Sequence, residues 1–148
     1  MELVSSLNLF NPFNRMKACE TVSQYQPRHK IVMVVDDDDT FRLILCDRLE
    51  QKGLKCVEAE NGKVAISQLK KNQVDLIITD YRMPIMDGIE LIKWLQRNRI
   101  HLPIILISGD LNESTRVHAE QANVYAILEK PCSLSELSLK VEQALGEP

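Results

Sequence analysis

The sequence predicts an α/β fold, built on a doubly wound sheet of five parallel strands with helices on both faces. From Lys30 onward, short apolar runs alternate with segments whose apolar residues recur at helical spacing. The three middle runs are almost wholly apolar, which is typical of strands that helices cover on both faces. Because parallel strands are joined by right-handed crossovers, this alternation favours the doubly wound arrangement.

Five runs of residues predict the strands. The first run is followed by four aspartates in a row, Asp36, Asp37, Asp38 and Asp39. The second run has mixed polarity, as expected of a strand at the edge of a sheet. In chain order, the strands are predicted over residues 31–35, 54–59, 74–79, 103–107 and 124–128. Four of these runs lead to a polar side chain at the carboxyl end, which is where ligands bind in an open parallel sheet.

Each predicted helix follows one strand and is recognised by its apolar face or its terminal residues. The start and stop signals are, in chain order, a stop near Gly53, a cap at Asn61 with the helix running to about Asn72, a start at Gly88, and capping-box spacing at Asp110 with Glu113 and at Ser133 with Glu136. The residues predicted to face inward are Phe41, Ile44, Leu45 and Leu49, then Val64, Ala65 and Leu69, then Ile89, Ile92 and Leu95, and finally Leu134, Leu137, Val141 and Ala144.

The composition limits the class of protein. The chain has 148 residues, about the size of one domain, and its formal charge of −3 gives no reason to expect direct binding of nucleic acid. No apolar stretch approaches the roughly 20 residues of a membrane span, and we recognise no secretory signal. The cysteines Cys19, Cys46, Cys56 and Cys132 are scattered, which predicts reduced thiols in a cytoplasmic protein.

Residues 1–29 differ from the rest of the chain, because they are rich in Asn, Ser and Gln. We predict that they form an N-terminal extension to a single domain over residues 30–146. The extension is expected to be a flexible tail or, since Leu3, Leu7 and Phe10 fall at helical spacing, a short docking helix.

The strand ends predict one chemical site. Asp36, Asp37 and Asp80 would bring three carboxylates together, and such like charges require a compensating cation. Carboxylate oxygens suit Mg²⁺, which also leaves room for phosphate oxygens. The hydroxyl of Ser108 and the ammonium group of Lys130 are suited to phosphate oxygens. Since a carboxylate can itself be a nucleophile, Asp80 on its central strand is the candidate for an aspartyl phosphate.

Four short motifs resemble the receiver domain of bacterial two-component response regulators. They are Val34-Val35-Asp36-Asp37, Asp80-x-x-Met83-Pro84-x-Met86-Asp87-Gly88, Ser108-Gly109 and Lys130-Pro131. Each motif alone is common, but their order and strand-end spacing together are highly specific, and the resemblance covers about residues 30–146. It implies the flavodoxin-like, CheY-like sheet with strand order 2-1-3-4-5, which is a named example of this fold.

The resemblance also implies a role for each site residue. Asp80 would accept phosphate from a histidine kinase or a phosphotransfer protein. Asp37 would bind Mg²⁺ directly, Asp36 through water, and Arg82 through its backbone carbonyl. Ser108 and Lys130 would hold the phosphoryl oxygens. The Lys130–Pro131 peptide bond is expected to be cis.

Three positions near the implied site receive a separate interpretation. Asp38 and Asp39 are expected at the start of the following helix, where negative charge is favourable, rather than as further metal ligands. Receivers usually carry Tyr or Phe three residues before the lysine, but this chain has Ile127 there. Tyr125 lies on the same strand face but at a different depth, so the usual coupling between hydroxyl and aromatic ring is in doubt.

The expected function is a phosphorylation-controlled interaction module, without catalysis beyond its own phosphorylation and dephosphorylation. Because no output domain follows the last predicted helix, we expect a downstream protein target to read the fourth helix, fifth strand and fifth helix, over about residues 112–145. One alternative is a receiver fragment of a longer regulator with an enzymatic output domain, because residues 127–131 faintly resemble receivers that are linked to cyclic-dinucleotide enzymes. A second alternative is an aspartyl-phosphate hydrolase of the haloacid-dehalogenase type, but this sequence shows no cap insertion. A third is a flavin carrier, but this sequence has four aspartates where a flavin carrier needs a phosphate loop. A fourth is a degenerate receiver that signals without phosphate, but the acid, hydroxyl and lysine positions of the site are all filled.

Overall fold

The computed structural model describes residues 27–146. The predicted extension therefore lies, apart from its last three residues, outside the described part of the chain. The strands are β1 (Ile31–Val35), β2 (Lys55–Ala59), β3 (Leu76–Asp80), β4 (Ile104–Ser108) and β5 (Ala126–Glu129). The helices are α1 (Asp39–Glu50), α2 (Gly62–Leu69), α3 (Gly88–Arg97), α4 (Glu113–Gln121) and α5 (Leu134–Ala144).

The five strands form one parallel sheet in the order β2-β1-β3-β4-β5. The predicted fold class and the strand order implied by the family resemblance are confirmed. The register pairs Val35 with Thr79, Asp80 with Ile107, and Ser108 with Glu129. The carboxyl ends of the four consecutive strands β1, β3, β4 and β5 therefore meet at one edge.

Helices cover both faces of the sheet, so there are two cores. On β1, Met33 and Val35 face the core formed with α2, α3 and α4, whereas Val32 and Val34 face the core formed with α1 and α5. This alternation follows from the two-residue period of a strand. Every residue of β3 and β4 is buried, as predicted from their apolar sequences. The longest of the described helices has 12 residues, and none within residues 27–146 is long and apolar enough to cross a bilayer.

The predicted burial of one residue is wrong. Ile44 on α1 is 49% exposed, whereas Leu45, Cys46 and Leu49 are buried. Successive helix residues are separated by about 100°, so a face centred between Leu45 and Cys46 turns Ile44 away from the sheet. The prediction had placed the buried face one residue too early.

Several element boundaries also differ from the prediction, among them the start of β5, which is Ala126 rather than residue 124. α2 ends at Leu69, short of the predicted end near residue 72, and β3 begins at Leu76 rather than at residue 74. The cap of α4 is Asn112, whose side chain accepts a hydrogen bond from the backbone N–H of Thr115, and not Asp110. Asn and Asp cap helices about equally well, so the sequence did not distinguish these two starts. The caps at Asn61 and Ser133 are confirmed.

Candidate functional site

Three carboxylates meet at the edge where β1 and β3 end. One carboxylate oxygen from each of Asp36, Asp37 and Asp80 lies within 4.8 Å of the others. Asp36 is 1% exposed and Asp80 is 9% exposed, while Asp37 is exposed to solvent. The cluster can hold a metal ion, because it offers hard oxygen ligands with one open side.

The ammonium group of Lys130 follows β5 and reaches into the same cluster. Its Nζ lies 2.6 Å from Oδ2 of Asp36 and 3.7 Å from Oδ1 of Asp80, and 4.6 Å from the ring centroid of Phe41. Burial opposes the charge of Lys130, but the hydrogen bond to Asp36 and the charge of Asp80 outweigh it, so the pKa of the lysine is raised. The Lys130–Pro131 peptide bond is cis, as predicted from the resemblance.

Ser108 and Arg82 line the mouth of the site. A cavity of about 280 Å³ is lined by Asp80, Arg82, Ser108, Gly109, Asp110 and Lys130. The Ser108 hydroxyl donates to the backbone carbonyl of Asp110 and accepts from its N–H, while the guanidinium of Arg82 lies 3.9 Å from the Asp110 carboxylate. The structure thus brings every predicted site residue to one edge of the sheet.

Backbone contacts fix the position of Asp80. The backbone N–H of Tyr81 donates to Oδ1 of Asp80 at 3.0 Å and to the carbonyl of Ile107 at 2.8 Å. The N–H of Gly88 donates to the carbonyl of Tyr81. An added Cβ at Gly88 would lie 2.2 Å from the carbonyl oxygen of Asp80. Therefore only a glycine at position 88 allows the start of α3 to pack directly against the backbone of Asp80.

Arg42 is a residue that the sequence interpretation missed. Its side chain donates to the backbone carbonyl of Asp36 at 2.5 Å, to Asp39 at 2.5 Å and to Glu58 at 3.3 Å. It therefore ties the β1–α1 turn to β2. Its position three residues after Asp39, at ion-pair spacing on a helix, was the signal available in the sequence. Asp38 caps α1 by accepting from the N–H of Phe41, in agreement with the predicted helix start.

Ile127 occupies the position where receivers usually carry an aromatic ring. It is partly buried and packs against the core on the side of α2, α3 and α4. Tyr125 precedes β5 and is 49% exposed, so it does not fill the missing position.

The electrostatics of the metal-free cluster disfavour ionised Asp80. Burial and the charge of Asp36 raise the pKa of Asp80, whereas Lys130 and the N–H of Tyr81 offset part of this rise, and the resulting pKa is about 6. A carboxyl whose pKa is higher in the folded protein than in the unfolded chain holds its proton more tightly when folded. Stability is therefore lost as the pH rises from about 4 to about 6, by up to about 3 kcal/mol for a rise of about two pKa units.

We therefore expect Asp80→Asn to stabilise the metal-free protein near neutral pH by up to about 3 kcal/mol, because the amide cannot ionise. The gain should vanish near pH 4, where Asp80 is protonated. Denaturant unfolding in EDTA at the two pH values measures both. Asp38→Asn is the control, because Asn also caps helices well and should show no such gain. Equal stability of Asp80→Asn and wild type at neutral pH would refute this account of the cluster.

The fold and the site together define a class of protein, namely a doubly wound α/β domain with an acidic, lysine-containing site at the carboxyl edge of its sheet. The model of the response regulator receiver domain family matches residues 32–142. The chain belongs to this family and is a receiver domain of a two-component response regulator. Phosphorylation and Mg²⁺ binding are typical of the family, whose members are generally signalling domains rather than enzymes.

Curated relatives share the same region. The DNA-binding transcriptional regulator NtrC of Salmonella typhimurium is 35% identical over 116 residues, which cover 78% of this chain and 25% of NtrC. The chemotaxis protein CheY-3 of Vibrio cholerae is 32% identical over 115 residues, covering 76% of this chain and 88% of CheY-3. The chain thus spans about a quarter of the length of the NtrC relatives that it matches.

Solved structures with the same fold include two receivers of similar size. The receiver domain of the Francisella response regulator 1452 superposes with a TM-score of 0.75 at 29% identity, covering 80% of this chain and 98% of that chain. A response regulator receiver protein from Pseudomonas putida gives a TM-score of 0.76 at 31% identity, covering 80% and 99% of the two chains.

Proposed function

We propose that this receiver is a phosphoacceptor, in which Asp80 takes a phosphoryl group from a histidine kinase or a phosphotransfer protein with Mg²⁺ bound. One observation carries the proposal: the carboxylate of Asp80 lies in an open cavity with two further carboxylates within 4.8 Å and the ammonium group of Lys130 at 3.7 Å. The free thiols of Cys46, Cys56 and Cys132 in the described part of the chain favour a cytoplasmic location for this reaction.

The residues present fit Mg²⁺. Three carboxylates leave an excess of negative charge at the cluster, because Lys130 supplies one positive charge. The exposed Asp37 would be a direct ligand together with Asp80, the buried Asp36 would act through water, and the backbone carbonyl of Arg82 would complete the protein ligands. When bound, the ion would neutralise the carboxylates and the charge of the incoming phosphoryl group.

Asp80 has the chemistry of the nucleophile. With a pKa of about 6, it is mostly ionised near neutral pH, which is the form that attacks phosphorus. The new bond joins a carboxylate oxygen of Asp80 to phosphorus as the phosphorus–nitrogen bond of the donor phosphohistidine breaks, and the released imidazole takes up a proton. Lys130 and the hydroxyl of Ser108 would then hold the phosphoryl oxygens.

Phosphorylation would change partner binding through the face formed by α4, β5 and α5. Three large apolar side chains are exposed on or beside these elements, Val117 at 39%, Tyr125 at 49% and Leu139 at 52%. Ser108 begins the loop into α4, and Lys130 follows β5, so both phosphoryl contacts act directly on this face. The partner that binds this face would be a downstream protein target or, as the name of NtrC suggests, an output domain.

Labelling with acetyl phosphate and Mg²⁺ tests the proposal. We expect one phosphoryl group per wild-type chain by intact mass, and none when EDTA removes the metal ion. Asp80→Asn should not be labelled, whereas Asp38→Asn should be labelled like wild type, because Asp38 caps α1 outside the carboxylate cluster. Undiminished labelling of Asp80→Asn would overturn the assignment of the phosphoacceptor, and undiminished labelling in EDTA would overturn the role of Mg²⁺.

A further inference from the structure

An aromatic pair joins the residue next to Asp80 to the middle of α4. The hydroxyl of Tyr81 lies 2.7 Å from Nδ1 of His118, at hydrogen-bond distance. The two rings are nearly parallel, with an interplanar angle of 9° and centroids 6.4 Å apart. Tyr81 directly follows the candidate phosphoacceptor, and His118 lies within α4 (Glu113–Gln121). A single side chain thus spans the distance from the site to this helix.

The backbone of Tyr81 contacts the Asp80 carboxylate directly. Its N–H is shared between Oδ1 of Asp80 and the carbonyl of Ile107. Attaching a phosphoryl group to the carboxylate changes the charge and direction of the oxygen that accepts this hydrogen bond. A readjustment of the Tyr81 peptide in response would carry the Tyr81 ring with it.

α4 is held loosely enough to follow. Its buried residues are only Thr115 and Ala119, both small, so little apolar surface fixes the helix to the core. A groove of about 270 Å³ between α3 and α4 is lined by Tyr81 and His118 together with Glu90, Lys93 and other residues. The aromatic pair therefore borders open space on one side, while Tyr81 also packs against the core on the side of α2, α3 and α4.

We infer that the Tyr81–His118 pair couples the phosphorylation state of Asp80 to the position of α4. The inference rests on the proposed function and names its route of regulation. It also accounts for Ile127, because an aromatic link to α4 makes an aromatic ring at that position unnecessary. The link runs from the residue after the phosphoacceptor to α4, rather than through β5.

The test compares amide exchange with and without beryllofluoride, a phosphoryl mimic, in the presence of Mg²⁺. In wild type, exchange over residues 113–121 is expected to change. In His118→Phe, which keeps a ring but removes the hydrogen-bonding nitrogen, and in Tyr81→Phe, which removes only the hydroxyl, at least half of that change should be lost. His118→Phe should still be labelled by acetyl phosphate, because His118 does not contact the carboxylate cluster. Tyr125→Phe is the control that should keep the full change.

The outcomes separate this inference from the proposed function. Without labelling of wild-type Asp80, the proposed function fails and the inference fails with it. Labelled wild type with no exchange change over residues 113–121 overturns the inference alone. So does a full change in both His118→Phe and Tyr81→Phe. Loss of the change in these two variants, with labelling of His118→Phe and the response of Tyr125→Phe intact, supports it.

Discussion

Replacing Lys130 by Met is expected to lower the free energy of unfolding of the metal-free protein by about 3 kcal/mol near neutral pH. The variant leaves the carboxylate of Asp36, which is 1% exposed, without the ammonium group 2.6 Å away. Removing one partner of a buried ion pair strands the other charge, which typically costs about 3–5 kcal/mol. We take the lower end because the side chain of Lys130 is 26% exposed. Denaturant unfolding in EDTA measures this loss.

A matched surface pair provides the control for Lys130→Met. Lys52 forms an ion pair with Glu142, between residues that are partly exposed and remote in sequence from the site. Such a pair contributes about 0–1 kcal/mol, so Lys52→Met should have little effect. Mg²⁺ should restore part of the stability of Lys130→Met, since the ion compensates the same carboxylates. Equal losses in the two variants would contradict the cluster electrostatics described here.

Gly88→Ala is expected to cost about 3 kcal/mol of stability, the upper part of the usual range for overpacking. Its Cβ would lie 2.2 Å from the backbone carbonyl oxygen of Asp80, and backbone cannot rotate away as a flexible side chain does. The intrinsic helix preference for Ala over Gly, about 1 kcal/mol, opposes this loss but is smaller. Because the clash would displace Asp80 itself, labelling by acetyl phosphate should also fall in the fraction that remains folded.

Gly109→Ala is the control for the Gly88 prediction. An added Cβ at Gly109 meets no other atom within 4 Å, so thermal unfolding should show a change within about 0.5 kcal/mol. If Gly88→Ala is as stable as Gly109→Ala, then α3 does not pack against Asp80 as closely as the structure indicates.

The sequence predicted the strands and most inward faces because these depend on local periodicity. β3 and β4 read as apolar runs since helices bury both of their faces, and Leu137 and Val141 of α5 are buried as their spacing predicted. The order of the strands came from the family resemblance, because periodicity alone does not say which strands are neighbours. The wrong prediction for Ile44 shows the limit of the pattern. When the assumed buried face of a helix is shifted by one residue, a large apolar residue moves from the predicted core to the surface.

The site residues that lie at the carboxyl ends of strands were predictable from the sequence. Asp36, Asp80 and Lys130 each come at or just past the end of a strand, and the parallel sheet brings those ends together. The contacts of Arg42 with Glu58 and of Tyr81 with His118 were not predictable in this way. Each joins side chains that are distant in sequence, and their meeting depends on helix positions that no local motif specifies.

Locating the phosphoryl group tests the central claim most directly. Wild-type protein is incubated with acetyl phosphate and Mg²⁺, the acyl phosphate is reduced with borohydride to homoserine, and the peptides are mapped by mass spectrometry. Conversion at Asp80 alone is the result that this account predicts. Conversion at Asp36, Asp37 or Asp38, with Asp80 intact, would contradict it.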